Sequence, residues 1–308
     1  MTFLVYRFLK TYTSRYVRRL HHACGMRRCI AISLTLVMLL LFSGGCNTGV
    51  RRGLNVVGLI DFSGSLPPKA LERYIQIICH HVMMNLDEVD RLVILPIDEG
   101  AKKEPTRLVF DDMSQHQFSF PTDGFTHAQE LRLKRVHDYV NNRAPEIEAE
   151  IKRQKEIRKQ FTYQSDILSA IEQAAKLERR DARENLAGAF GRFVSGKKAV
   201  AWRNVMVVFS DMIQESSEYS FASPEGPDSK TIPSIVKQLK GNGRLPDMSG
   251  WVIFVDERTG STNRQIVRIQ DFWVQYFKAA GGELRAYDYD VGNEIGSFLV
   301  DRNSEEVH

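Results

Sequence analysis

The chain has 308 residues, 43% of them hydrophobic and 26% charged, which are ordinary globular values and leave ample length for a sizeable core. Its formal net charge of +4 belongs to the first 46 residues, which hold seven Arg or Lys and no Asp or Glu. The 42 basic residues less those seven leave 35 against 38 acidic ones, a net of −3, which makes the body a poor nucleic-acid binder on electrostatic grounds.

Residues 30–42 form an apolar run, Ile-Ala-Ile-Ser-Leu-Thr-Leu-Val-Met-Leu-Leu-Leu-Phe, flanked by Arg27 and Arg28. The run is short for a bilayer span and suits the apolar region of a secretory signal. Ser43, Gly44, Gly45 and Cys46 follow. The segment resembles a bacterial lipoprotein signal, which implies lipidation of Cys46, a membrane anchor and a place in the cell envelope. Met26 would give a leader of ordinary length, so the true start is expected at Met1 or Met26. Cys24, Cys29 and Cys46 lie in the leader and only Cys79 in the body, so a disulfide-stapled scaffold is excluded there.

After a tether over 47–52, the body reads as alternating strands and helices. Residues 54–60 are a buried strand. Pro67 and Pro68 open a helix over 69–86, since proline is tolerated in a first turn. Residues 91–97 and 106–110 are strands. A strongly charged helical insertion spans about 126–160, and Pro145 is expected to divide it. It reads either as a solvated excursion or as a partner-facing arm. Helices follow over 167–177 and 181–194, then a strand over 204–210 and a polar loop over 213–230. A helix at 232–240, a strand at 251–255, a helix at 263–280 and a strand at 283–287 complete the domain, and 291–308 reads as a tail. The alternation predicts an α/β fold, a Rossmann-like, doubly wound, mostly parallel sheet with helices on both faces, over 53–290.

Three stretches fall at one edge of such a sheet, where ligands bind beyond the carboxyl ends of strands. Asp61-Phe62-Ser63-Gly64-Ser65 follows the first strand. Ser165 stands before the helix at 167. Asp211 ends the strand at 204–210. They supply two carboxylates and three hydroxyls, the hard oxygen donors a small cation requires. The plainer alternative is that Ser63 and Ser65 cap a helix and Asp211 caps its own loop. Asp98 and Asp256 also end strands, as supporting acids or loop caps. Cys79 and the His80–His81 pair read as helix residues, with no zinc-ligand spacing.

The pattern Asp61-x-Ser63-x-Ser65, a hydroxyl at Ser165 ahead of Ala170-Ile171, and Asp211 after an apolar strand resemble a von Willebrand factor type A domain with a metal-ion-dependent adhesion site. Two positions depart from that family: Ser165 replaces threonine, with Thr162 as the alternate ligand, and Met212 replaces the usual glycine after the aspartate. The resemblance implies that Asp61, Ser63, Ser65, Ser165 and Asp211 hold Mg²⁺, with Mn²⁺ or Ca²⁺ as substitutes. It also implies that the ion completes its shell with an Asp or Glu carboxylate of a protein partner. The expected function is therefore an envelope-anchored adhesion or scaffold module, not an enzyme. A structural part of an envelope or transfer machine with incidental metal is the alternative, and a metal-dependent hydrolase is a further one.

Overall fold

The computed structural model describes residues 51–67, 69–98, 106–116, 118, 127–158, 164–180, 200–223, 227–257 and 263–301, all within one unit of residues 50–308. The leader with Cys46, the alternate ligand Thr162 and the helix expected over 181–194 lie outside the described residues.

Six strands form one sheet: β1 (Arg51–Asp61), β2 (Arg91–Ile97), β3 (Val109–Asp112), β4 (Val200–Ser210), β5 (Trp251–Glu257) and β6 (Glu283–Asp288). Their order is β3-β2-β1-β4-β5-β6. All neighbouring pairs are parallel except β2–β3, which is antiparallel at the edge. The long apolar runs make this possible. β2 and β5 are buried along their whole length, as strands covered on both faces must be.

The side-chain period of two sends alternate residues into two separate cores. Leu54, Val56 and Ile60 of β1 join Val205, Val207 and Phe209 of β4 on one face. Val57 and Leu59 join Met206 and Val208 on the other. The first core is closed by α1 (Ala70–Gln76), by the π-helical and 3₁₀ turns that continue it to Asn85, by α2 (His127–Arg158) and by α6 (Gly292–Val300). The second is closed by α3 (Ile167–Leu177), α4 (Ile232–Gly241) and α5 (Asn263–Ala280). The fold is thus the expected α/β class, a mostly parallel sheet with helices on both faces.

At the amino end of the strands, Arg91 and Glu178 form an ion pair with side chains only 3% and 2% exposed, and Arg107 adds a second contact to Glu178 at 2.6 Å. Asn55 donates to the Glu178 carbonyl at 2.7 Å and to Asn204 at 2.8 Å. Most of these side-chain polar groups pair with one another, and the opposite end of the sheet carries the acidic residues described below.

Two expectations need correction. Pro145 does not divide the insertion, because α2 runs unbroken from His127 to Arg158 with the proline inside it. Proline removes one intrahelical donor, which ordinarily kinks a helix. Here packing on both sides of it holds the helix. Val136, Val140, Ile147 and Ile151 form a buried stripe on the first core. Tyr139 donates to Asp111 at 2.9 Å, and Arg143 pairs with the same carboxylate at 3.1 Å. The segment is therefore a packed wall and not a solvated excursion. The second correction concerns 291–308: α6 occupies 292–300 there, burying Ile295 and Leu299.

A buried position in this wall should be costly to truncate. Ile151→Ala is expected to lower stability in urea denaturation by about 2–4 kcal/mol, the usual cost of a core cavity. A change below about 0.5 kcal/mol, typical of a surface site, would mean that α2 does not belong to the core.

Candidate metal centre

β1 and β4 lie side by side at the point where the strand order reverses, and Ile60 is level with Phe209. In doubly wound sheets the crevice beyond that reversal is where ligands sit. Asp61 ends β1 and Asp211 follows β4, so the topology delivers both carboxylates to this crevice. They are 0% and 1% exposed.

Asp61 is held from three sides. Its Oδ1 accepts the Ser63 backbone N–H at 2.8 Å and the Ser165 hydroxyl at 3.1 Å. Its Oδ2 accepts the Ser210 hydroxyl at 2.8 Å. Ser63 Oγ and Ser65 Oγ are 2.8 Å apart, and the Ser65 side chain favours the charged form of Asp211. Asp211 Oδ1 also accepts the Ile213 N–H at 3.0 Å. Asp61 is thereby linked to Ser63, Ser165 and Ser210, and Ser63 to Ser65, while Asp211 stands close enough to Asp61 to feel its charge.

The segment after β4 is shaped by a single unusual residue. Met212 has a φ of 59°, the left-handed region that glycine enters freely and other residues enter at a cost of roughly 1–2 kcal/mol. The resemblance calls for glycine at this position. Methionine is accommodated because its side chain is wholly buried, its N–H reaches Ser210 Oγ at 3.0 Å and its carbonyl accepts the Trp273 indole N–H at 2.9 Å. Ser165 is placed by a second lock. Its carbonyl accepts the Glu215 N–H at 2.9 Å. The adjacent Asp166 caps α3 through Ser169 and accepts Gln214 Nε2 at 3.0 Å, while Gln214 Oε1 accepts the Leu168 N–H at 2.9 Å. Gln214 is 0% exposed and ties the loop after β4 to the start of α3.

Several of these residues were not assigned a role from the sequence. Ser210 could have been found from its place beside Asp211 at a strand end. Gln214 and Glu215 gave no signal apart from lying in a polar loop. Asp98 and Asp256 make other contacts: Asp98 pairs with Arg158, and Asp256 accepts the Val291 N–H at 3.3 Å.

Burial dominates the electrostatics. It raises the pKa of Asp61 against the pull of its hydrogen bonds, and it pushes Asp211 up to about 7, with the Asp61 charge adding to the effect. Glu215 is raised by burial and by Asp61. Glu257, at the end of β5, is pushed up to about 7 by burial, with Asp211 and then Asp288 contributing. Two buried carboxylates facing three hydroxyls form an anionic, hard-oxygen donor set, which fits a divalent ion such as Mg²⁺. Among the described residues there is no group of three or more His, Cys, Asp or Glu placed to hold a metal, so softer coordination has no competing site there. A cavity of about 440 Å³ opens onto Asp61, bounded by Phe62, Leu66, Leu71, Lys155 and Glu215 among others.

No protein-family model matches this chain, and no curated protein does. Among solved structures it is similar to proximal thread matrix protein 1 from the mussel byssus, at a TM-score of 0.35 and 11% identity over 81% of this chain. This chain spans about half of that protein, 46% of its length. It is also similar to an aerotolerance-related membrane protein from Bacteroides fragilis, with a TM-score of 0.37 and 11% identity over 83% of this chain and 100% of the other. The manganese-loaded TRAP protein of Plasmodium vivax gives a TM-score of 0.29 and 12% identity over 81% and 73%. Likenesses this distant carry no argument about the site, which stands on its own geometry.

The acid pair has a measurable consequence without metal. A carboxyl raised from 3.8 to about 7 holds its proton in the native state after the unfolded chain has lost it. The stability this contributes is present below about pH 4 and is lost as pH rises to about 7. Asp211→Asn, assayed by thermal denaturation in chelator, is therefore expected to flatten that decline and melt about 3 °C or more above wild type at pH 8. Identical pH profiles would show that burial and the Asp61 charge do not raise the Asp211 pKa.

Proposed function

We propose that this chain is a divalent-metal-dependent protein-binding module with a von Willebrand factor type A architecture. The observation that carries this reading is the buried Asp61–Asp211 pair at the reversal point of the sheet, with Ser63 and Ser165 bonded to Asp61 and Ser65 bonded to Ser63. Asp61, Ser63, Ser65, Ser165 and Asp211 would hold Mg²⁺, with Mn²⁺ or Ca²⁺ as substitutes. The bound ion would supply a Lewis-acidic position for an outside oxygen, and a partner's Asp or Glu carboxylate suits it. The chain's own contribution is to fix the hydroxyls, keep the acid pair dry and shape the cavity. We read it as a binding module and not as an enzyme.

Isothermal titration with Mg²⁺ tests the centre. Wild type is expected to bind, and Asp61→Ala to bind at least about 100-fold more weakly, since even losing a residue that supports a metal ligand costs roughly 10–100-fold. Equal binding by both would dismiss the assignment and favour a structural part with incidental metal.

The module is proposed to stand on a membrane surface in the bacterial cell envelope, through lipid on Cys46. Two acyl signals give stable anchoring where one is marginal. Among the described residues no helix is long and apolar enough to cross a membrane. Labelled palmitate is expected to enter the wild-type chain and not Cys46→Ser. An unlabelled wild type would leave only an ordinary export signal.

A further inference from the structure

The last turn of α2 is built into the rim of the metal centre. Arg158 pairs with Asp98 at the end of β2, the two side chains being 18% and 13% exposed. Its guanidinium also lies 6.0 Å from the centre of the Phe62 ring, between Asp61 and Ser63 in the chain. Lys155 is one turn earlier, on the same side of the helix, and it lines the cavity that opens onto Asp61. Its neighbours spend their charges locally: Lys152 pairs with Glu148 and Arg153 with Glu150, each at 2.6 Å. Lys155 has no hydrogen bond or ion pair among the described residues, although Glu215 lines the same cavity. Phe62, Leu66, Pro67 and Leu71 give the same cavity its apolar lining. A partly buried lysine with no hydrogen bond or ion pair among the described residues, lining the same cavity as Asp61, Ser63 and Ser65, is open to an anion.

We propose that Lys155 is a second anchor for the ligand, so that the module selects a partner segment carrying two closely spaced carboxylates. One carboxylate takes the open position on the ion, and the other meets the Lys155 ammonium in the same cavity. The inference rests on the metal-dependent reading above and narrows its partner to an acidic protein segment. The division of labour follows from chemistry. A metal ion binds any accessible carboxylate and discriminates little among them. A lysine at a fixed offset rewards only those ligands that place a second negative charge there.

The test uses the full chain in detergent, loaded with Mn²⁺, and blocked peptides of equal length. One peptide carries a single glutamate, and the others carry two, separated by up to two glycines. Displacement of water from Mn²⁺ is read by proton relaxation, and affinity by calorimetry. The best two-glutamate peptide is expected to bind wild type roughly two- to five-fold tighter than the single-glutamate peptide, the range of an exposed charge pair. Lys155→Met should erase that preference while still binding Mn²⁺ and the single-glutamate peptide, and Lys155→Arg should keep most of it. Equal affinities in wild type, or a preference that survives in Lys155→Met, would overturn the proposal. If Lys155 serves only to neutralise Glu215, Lys155→Met will weaken both peptides alike, which also overturns it. A wild type that binds Mn²⁺ but neither peptide rejects the second anchor and leaves the metal centre standing. A wild type that takes up no Mn²⁺ rejects both readings.

Discussion

Two carboxylates buried in one crevice of the sheet are the constraint around which this molecule is arranged. Asp61 and Asp211 are almost wholly removed from water. A protein gains nothing in stability from such a pair, since burial and mutual repulsion both oppose the charged forms. Every donor near them acts to reduce that cost: the hydroxyls of Ser165 and Ser210, the Ser63 amide, the Ser65 side chain and the Ile213 amide. These offset part of the penalty, and a divalent cation would offset most of the rest. The strained Met212 and the buried Gln214 lock fit the same view, because both hold the loops that carry the acids in place.

The sheet explains why the acids meet at all. They are 150 residues apart in sequence, yet β1 and β4 are adjacent because the chain winds outward in both directions from that point. Their carboxyl ends share a crevice as a result of topology alone. At the opposite ends of the strands Arg91 pairs with Glu178 and Asn55 with Asn204. The helix α2 then adds a feature specific to this chain. It packs a stripe of four aliphatic residues on the first core and ends at the site, where Arg158 and Lys155 bring positive charge to an otherwise acidic rim.

Much of this was legible in the sequence, for identifiable reasons. Strands buried on both faces write themselves as apolar runs, so β2, β5 and most of β1 and β4 could be placed within a few residues. The helices over 167–177 and 263–280 carry strong apolar periodicity and were located at their observed bounds. The two acids, Ser63 and Ser65 were visible because they follow strands, and Ser165 because it stands ahead of a helix. The path of α2 was hidden, since its four core residues are scattered among more than twice as many charges and Pro145 argued for a break. Its contribution of Lys155 to the cavity depends on how the helix docks, which no local pattern encodes. Gln214 was invisible for a similar reason: its amide matters only because α3 and the loop after β4 come together.

The central claim is that the two carboxylates and three hydroxyls form one divalent-cation centre. The most direct measurement is anomalous diffraction from crystals of the protein grown with Mn²⁺. A single strong peak bounded by Asp61, Ser63, Ser65, Ser165 and Asp211 is the expected result. A fully ordered site with no peak there, or a peak elsewhere on the molecule, would contradict it.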